Sequence, residues 1–341
     1  MRLYWHQASG IRHQALGLAF LLFASVTGFS QIENSVEKIL NSLTTGPVPE
    51  DLLAVKTIAL YDPAFTQKEL QEIQSGFERT GVDAVVYYPM DLPFCNRDVQ
   101  QALADYLVKR EIKYFVFLRK LSSRLEFTFT EFTGVKELIR SGQSGWKIDG
   151  NSIQEVLMDI YRTALNSQKR LNMLVSPLPE FDLPLHFIKG TRAEYFGVDL
   201  RVDKLAIIKS GDEAMDQSME EIFKNNYPFT FQFFEPGSDE SDIRKKGFLF
   251  ILSVIHTRGF AAMELLDYNM DKTGSAIASV SYPNGQMQLT TRPAEEPVYK
   301  FYFKHLENGN VYLGTKWDAD TSWKQALLNQ IKGLKAELRI N

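Results

Sequence analysis

Cysteine is almost absent from this sequence. Cys95 is the only cysteine among 341 residues, so the chain cannot form an internal disulfide and its stability must come from packing. Zinc motifs built on paired cysteines are excluded for the same reason, and no HExxH motif occurs. Beyond residue 30 the histidines are His186, His256 and His305, and no two of them have the spacing of a metal-binding helix face. We therefore predict neither a metal site nor a cofactor.

The sequence also lacks a run of lysine or arginine. Its formal net charge is -4, and this becomes -6 when residues 1–30, which contain two arginines and no acid, are left out. A mildly acidic chain has no general attraction to phosphate backbones or anionic lipids. Nucleic acid is therefore not expected as a partner.

The apolar run near the amino terminus is too short to cross a membrane. It covers residues 15–26, about a dozen residues, whereas a spanning helix needs roughly 20. Arginines and no acid precede the run, and small residues follow it, which is the order typical of a secretory signal peptide. We predict a signal over residues 1–30, cleaved near Ser30 and Gln31, and a periplasmic or secreted mature protein. The alternative is an uncleaved amino-terminal anchor, which would be its contact with the membrane.

Glycine-rich phosphate and nucleophile motifs are missing as well. Neither a phosphate-binding loop nor a dinucleotide fingerprint follows a predicted strand. Residues 142–145 (GQSG) do not match the G-x-S-x-G pattern of a nucleophile elbow, so we interpret these glycines as turn residues. Residues 267–271 (DYNMD) begin like a calcium loop, but Lys272 and Ala278 stand where such a loop requires glycine and glutamate.

The pattern that is present is an alternation of short strands and amphipathic helices. Thr66 and Glu69 have the spacing of a capping box at the start of a helix, and Gly81 marks its end. We predict a first α/β domain over residues 51–175, preceded by a linker with a short helix over residues 31–50. Its predicted strands cover residues 55–61, 84–88, 114–118 and 125–131, and its later helices cover residues 98–109 and the segment after Ser152.

A proline-rich connection over residues 176–200 separates this domain from the rest of the chain. A second α/β domain is predicted over residues 201–341, with a hairpin at Asn308 and Gly309. Each half is expected to have a mixed β-sheet with helices mainly on one face.

The order of elements restarts in the second half. Residues 204–209 (KLAIIK) correspond to residues 56–61 (KTIALY), and Trp317 precedes the last helix as Trp146 does in the first half. This agreement indicates an internal duplication. The alternative is a chance alignment of two unrelated α/β domains.

Two positions invite a catalytic interpretation. Cys95 is predicted in a loop before a helix, where a helix amino terminus can lower the pKa of a thiol. No histidine lies near it in sequence, so we interpret it as a buried structural residue. Residues 317–320 (WDAD) contain two carboxylates that suggest a glycosidase or a metal site, but their position before a helix is typical of a turn and a helix cap. The acidic residues 237–242 are interpreted as a helix cap in the same way.

The predicted function depends on three strands, residues 125–131, 229–234 and 298–304, which are aromatic on one side and polar on the other. Such a sheet face is either exposed as a binding surface or packed against the other half. We predict an exported, non-catalytic binding or assembly protein of the cell envelope, and this allows a protein partner there.

Two alternatives belong to other functional classes. One is a small-ligand carrier with its site in the cleft between the two halves. The other is an exported hydrolase, for which the candidate residues are Cys95, His305, Asp318 and Asp320.

Overall fold

The computed structural model describes residues 35–167, 169–181, 185–269 and 274–340. The predicted signal segment, residues 1–30, lies outside the described residues, as do Asp271 and Lys272 of the calcium-like segment. None of the helices formed by the described residues has both the length and the apolar character that a membrane span requires.

The described residues form α-helices and β-strands in alternation. The helices are α1 (Ser35–Ser42), α2 (Gln67–Thr80), α3 (Arg97–Lys109), α4 (Ile153–Ser167), α5 (Glu213–Asn226), α6 (Glu240–Lys245), α7 (Gly259–Leu265) and α8 (Trp323–Glu337). The strands of the first half, with those of the connection, are β1 (Thr44–Thr45), β2 (Lys56–Tyr61), β3 (Asp83–Pro89), β4 (Ile112–Lys120), β5 (Leu125–Glu131), β6 (Ser144–Gly150), β7 (Glu180–Phe181) and β8 (Arg192–Ala193). The strands of the second half are β9 (Lys204–Ile208), β10 (Phe231–Phe234), β11 (Phe248–Arg258), β12 (Ala276–Ser281), β13 (Gln288–Pro293), β14 (Pro297–His305) and β15 (Val311–Tyr312).

Helix α2 shows how the local sequence determines the ends of an element. The hydroxyl of Thr66 accepts a hydrogen bond from the amide of Glu69, and the carboxylate of Glu69 accepts one from the amide of Thr66. The helix ends at Gly81, whose φ of 97° lies in the left-handed region that favours glycine. The predicted capping box is confirmed. The cap predicted for α4 is confirmed too, because the amide of Glu155 donates to the hydroxyl of Ser152.

The first sheet has the strand order β1-β6-β5-β4-β2-β3-β7. Strands β3, β2 and β4 are parallel, and β5 and β6 extend the sheet in antiparallel fashion. Helices α2 and α4 pack on one face, through Phe77 and Val156 among others, and α1 and α3 pack on the opposite face, through Leu40 and Leu103.

The mixed α/β fold is therefore confirmed, but helices cover both faces of the first sheet instead of mainly one. The reason is the direction of the two crossovers. Helix α2 leads from β2 outward to β3, whereas α3 leads from β3 back past β2 to β4. Because parallel crossovers are right-handed, connections that run in opposite directions place their helices on opposite faces.

The second sheet has the strand order β10-β9-β11-β14-β15-β8. Successive strands of this sheet pair in the order parallel, parallel, antiparallel, antiparallel, parallel. The series β3-β2-β4-β5-β6-β1 of the first sheet has the same order of pairings. Helices α5 and α8 pack on one face of this sheet, as α2 and α4 do on the first. Helix α7 and the β12–β13 hairpin form an insertion that the first half lacks among its described residues. The shared topology supports the predicted duplication, and a common origin of the halves remains a prediction.

The sequence pattern misses strand β6. We expect Gly145 in a turn and Trp146 before one, whereas both residues lie in this strand. Gly145 pairs with Thr45, and a Cβ atom at this glycine would come within 3.1 Å of Leu43. Residues 146–149 (WKID) do alternate apolar and polar side chains, but the glycines on either side of them suggest turns, and the pairing with β1 and β5 extends the strand over both. The connection over residues 176–200 likewise contributes β7 to one sheet and β8 to the other.

The two halves contact each other through the loop between β3 and α3. The side-chain amide of Asn96 donates hydrogen bonds to the carbonyl of Val254 (2.8 Å) and to the hydroxyl of Tyr302 (3.2 Å). Lys304 of β14 forms an ion pair of 2.7 Å with Asp98 in the first turn of α3. The short helix α6 covers one part of this face of the second sheet. Another part is covered by Cys95 and Val99 of the first half, together with the connection and α7.

Candidate functional site

The aromatic strand faces that suggested a binding surface are largely buried. On β5, Phe127 and Phe129 pack against α2, and Thr128 and Thr130 are buried on the opposite face. The residues of β14 from Val298 to Phe303 are buried as well. Strand β14 shows the alternative arrangement, because Tyr302 packs against Cys95 and Val99 of the other half. The aromatic face of β5 packs against α2 of its own half instead. Strand β10 retains partly exposed aromatic side chains.

A cavity of about 810 Å³ lies between the two halves. Its floor is formed where the parallel strands β2 and β3 end, at Tyr61, Tyr88 and Pro89. One wall is the connection between Leu185 and Arg192, and the other wall is helix α7. The cavity therefore lies at the carboxyl edge of a parallel sheet, where ligands bind in open α/β folds.

Helix α7 is held in place by a charged cluster at its start. The carboxylate of Asp91 accepts hydrogen bonds from the hydroxyl of Thr257 (2.7 Å) and from Nε of Arg258 (2.8 Å). A second carboxylate, Glu295, accepts from Nη1 of Arg258 at 2.8 Å. Burial by itself would lower the pKa of Arg258, but the two carboxylates outweigh it and raise that pKa. The guanidinium is therefore engaged by protein groups.

Arg192 of β8 lines the opposite wall. Two of its three guanidinium nitrogens have protein partners, whereas the buried Nη2 has no hydrogen-bond partner among the described residues. Its Nε donates to the carbonyl of Leu266 (2.6 Å), and Nη1 forms an ion pair with Glu194 (2.9 Å). The guanidinium lies 4.6 Å from the ring centroid of Tyr268, a cation–π contact. Neither arginine of the cavity is thus an uncompensated positive charge.

The rest of the cavity surface is mixed in character. Aromatic rings of Tyr61, Tyr88 and Phe260 lie beside aliphatic side chains, and Phe260 is 37% exposed. His186 and Glu264 also line the cavity and are exposed. No hydrogen bond joins these two side chains among the contacts of the described residues. The surface suits a ligand with a ring or apolar body and a few polar groups.

Cys95 lies at the contact between the halves and is buried. Burial, together with the nearby charge of Asp91, raises the pKa of its thiol. The carbonyl of Cys95 accepts a hydrogen bond from the amide of His256 at 3.1 Å, whereas the imidazole of His256 stacks on the ring of Tyr299 at 3.9 Å between centroids. The protonated, inaccessible thiol is a structural residue, as the sequence suggests.

The first carboxylate of the WDAD segment forms a buried ion pair. Asp318 lies 2.5 Å from Nζ of Lys300, which also donates to the carbonyl of Leu313 and to the side chain of Gln330, both at 2.8 Å. Burial raises the pKa of Asp318 and lowers that of Lys300, and the opposite charge of each partner works against these shifts. All three ammonium protons of Lys300 have protein acceptors, so its charge is engaged within the second half.

The second carboxylate of the segment, Asp320, also has structural partners. It forms an ion pair of 2.7 Å with Arg292 and accepts a hydrogen bond from the amide of Ser322, the N-cap residue of α8. The interpretation of WDAD as a helix cap is wrong, because the cap of α8 is Ser322, and Asp320, two residues earlier, forms an isolated β-bridge with Tyr299. The buried partner of Asp318 was not expected.

The remaining candidates lie apart from the cavity or serve as caps. Asp239 caps α6 through the amide of Ser241, which confirms a helix cap in the acidic segment 237–242. His305 also has a structural contact: its Nδ1 accepts a hydrogen bond from the amide of Glu307 in the hairpin turn. Within the described ranges, no three histidine, cysteine, aspartate or glutamate side chains form a group that could hold a metal ion.

The cavity residues themselves were not identified by the sequence analysis. A cleft between the halves was expected, but Tyr61 and Pro89 were recognisable only as the carboxyl ends of two predicted strands. Arg192 and Arg258 reach the cavity from the connection and from the start of the insertion, where the sequence has no periodicity to place them. Neither the protein-family models nor the curated proteins compared with this sequence give a match.

Proposed function

We propose that this chain is an exported, non-catalytic binding protein that holds a small molecule in the cleft between its two halves. The observation that carries the proposal is the cavity of about 810 Å³ at the carboxyl ends of β2 and β3. Ligand sites typically have volumes of about 300 to 1,000 Å³ and combine apolar walls with a few polar groups. The cleft meets both criteria.

The charges of the cavity limit the class of ligand. Arg192 and Arg258 are paired with carboxylates of the protein, so an anionic ligand would have to compete with those partners. The rings of Tyr61, Tyr88 and Phe260 offer apolar surface. A neutral ligand that contains a ring fits this surface best.

The arrangement favours binding over catalysis. A general base is normally oriented by a second group through a hydrogen bond, and the described contacts of His186 include none to Glu264 or Asp267. The other hydrolase candidates, Cys95 and Asp318, are buried in structural roles. Hydrolysis is a second candidate function because His186, Glu264 and Asp267 line one cavity.

The test is native mass spectrometry of the chain purified from the envelope of its own host. We expect a small molecule that stays bound to the folded protein and is released on denaturation. Added back at a hundredfold excess over its Kd, it should raise the melting temperature by roughly 4 °C. The variant Phe260→Ala should lose retention, whereas Tyr195→Ala, which removes a 61% exposed ring outside the cavity, should keep it. A chain that carries nothing, and whose melting temperature no member of a chemically diverse library raises, would refute ligand binding.

Export is a separate part of the proposal and rests on the composition of residues 1–30. The intact mass of the natively produced chain tests it. We expect a mature protein that begins at or near Gln31 in the envelope or extracellular fraction. A full-length chain in the cytoplasmic fraction would contradict export without affecting the proposal of ligand binding in the cleft.

Hydrolysis has its own test. Slow turnover of the bound molecule by the wild type, lost in His186→Ala, would favour a hydrolase over a binding protein.

A further inference from the structure

The two sheets differ at the edge next to α2 in the first half and α5 in the second, where β3 and β10 have corresponding positions. In the first sheet, β7 covers the outer edge of β3 in parallel register, with Tyr87 beside Phe181. The two rings stack with their centroids 5.1 Å apart. Strand β7 comes from the connection, so the chain itself closes this edge.

In the second sheet, β10 has the position of β3, and no strand formed by the described residues covers its outer edge. Tyr87 pairs with Ala59 of β2, and Phe233 pairs with Ile207 of β9. Each pair faces the corresponding helix layer of its half, so Phe233 is the counterpart of Tyr87. Among the described residues, β9 is the one strand that pairs with β10.

The open edge has unpaired backbone groups. The carbonyls of Thr230 and Phe234 accept hydrogen bonds from the amides of Leu205 and Lys209 in β9. Residues of a parallel strand bond alternately to one neighbour and to the other. The amide and carbonyl groups of Phe231 and Phe233 consequently point away from β9, toward the open side.

This edge is four residues long and is flanked by Pro228, Glu235 and Pro236, but the residues between them carry none of the usual protection against pairing. Natural edge strands carry charges, proline or bulges that prevent association. Residues 229–234 (FTFQFF) contain four phenylalanines, one threonine and one glutamine, with neither charge nor proline. Such a segment pairs readily with another strand. We infer that β10 pairs in antiparallel fashion with β10 of a second copy of this chain, so that the two second sheets become continuous.

A second copy fits because the strand is self-complementary. The sequence Phe231-Gln232-Phe233 reads the same in both directions. A twofold axis at Gln232 places Phe231 of one copy opposite Phe233 of the other. The outward amide and carbonyl groups of these two residues then bond to each other across the new strand pair. The same register places Glu235 opposite Phe229, so no like charges face each other. The edge alone is small compared with a stable interface, and we expect a dimer with a Kd in the micromolar range.

Gln232 offers a test that leaves the monomer intact, because its side chain is exposed. In the dimer, the two Gln232 side chains face each other across the axis at about 5 Å. Sedimentation velocity of the chain from Gln31 onward, from about 1 µM to about 200 µM, should show a monomer–dimer equilibrium. Gln232→Lys and Gln232→Glu should each weaken it about fivefold through like-charge repulsion. An equimolar mixture of the two variants should restore association, because Lys then faces Glu.

Gln286→Lys is the matched control, since Gln286 is also exposed and lies away from β10. It should dimerise like the wild type. A wild type that stays monomeric over the whole range overturns the inference, and so does a dimer that Gln232→Lys leaves unchanged. Failure of the Lys and Glu variants to associate with each other overturns the register. These outcomes are independent of ligand binding in the cleft.

Discussion

Asp91 and Arg258 lie in different halves of the chain and form an ion pair of 2.8 Å that is 27% and 20% exposed at the two side chains. Asp91 belongs to the loop after β3, and Arg258 is the last residue of β11, directly before α7. The pair therefore joins the floor of the cleft to one of its walls. The cleft is formed at the boundary that this pair bridges.

This relationship predicts the effect of Asp91→Asn. The change leaves the largely buried Arg258 with Glu295 as its remaining carboxylate, and we expect a loss of about 2 kcal/mol in the free energy of unfolding. Urea denaturation monitored by tryptophan fluorescence measures it. The control is Asp149→Asn, which breaks the exposed pair of Asp149 with Arg124 and should change stability by less than about 0.5 kcal/mol. Equal effects of the two variants would show that the pair between the halves is no stronger than a surface contact.

The buried pair of Lys300 and Asp318 gives a second prediction. Lys300→Met or Asp318→Asn alone leaves one buried charge without its partner, and each should destabilise the protein by about 3 to 5 kcal/mol. The double variant should cost less than the sum of the two single changes, because it removes both charges. Urea denaturation of the four proteins forms the double-mutant cycle. Additive costs would mean that the two side chains act independently, in spite of their separation of 2.5 Å.

The fold could be predicted from the sequence where local patterns determine it. The Thr66 cap, the Gly81 terminus and the hairpin at Asn308 and Gly309 are short-range features, and the structure shows all of them. Strand β6 was missed because Gly145 and Trp146 obtain their conformation from pairing with β1 and β5 and not from their own pattern.

The cleft was harder to predict than the fold because its residues come from distant parts of the chain. Tyr61 and Arg258 are brought together by the docking of the two halves, and spacing in one sequence carries no information on such contacts. The buried Lys300 was not recognised for a related reason. A lysine in a strand suggests a solvent-exposed face, and its acceptors Leu313 and Asp318 follow more than ten residues later.

Glu69 leads to a prediction on pH dependence. Its carboxylate accepts a hydrogen bond from Lys120 and one from the amide of Thr66, and together these lower its pKa to about 2. A lowered pKa in the folded state contributes stability above the ordinary value of about 4.5, and this contribution is lost as the pH falls toward 2. Glu69→Gln should therefore be less stable than the wild type near pH 7, by about 1 kcal/mol as for a lost cap. The difference should shrink steadily below pH 4.5.

Thermal unfolding of both proteins between pH 2 and pH 7 measures this difference. The control is Glu221→Gln in α5, an exposed glutamate, which should show no such pH dependence. A difference between Glu69→Gln and the wild type that is the same at pH 2.5 and pH 7 would mean that the charge of Glu69 does not contribute.

The buried thiol of Cys95 predicts low reactivity in the folded protein. It is 7% exposed, and burial keeps its pKa well above that of a free thiol, so the reactive thiolate is scarce and inaccessible. We expect the native chain to react with 5,5′-dithiobis(2-nitrobenzoic acid) only as fast as the contact between the halves opens, and one thiol to react at once in urea. Leu174→Cys, at a position that is 94% exposed, should add a second thiol that reacts immediately in the native state. Because Cys95 packs at that contact and the charge of Asp91 raises its pKa, Asp91→Asn should accelerate its labelling both through weaker docking and through easier ionisation of the thiol. Rapid labelling of Cys95 in the wild type would show that the two halves separate readily, and the cleft would then be a transient feature of the molecule.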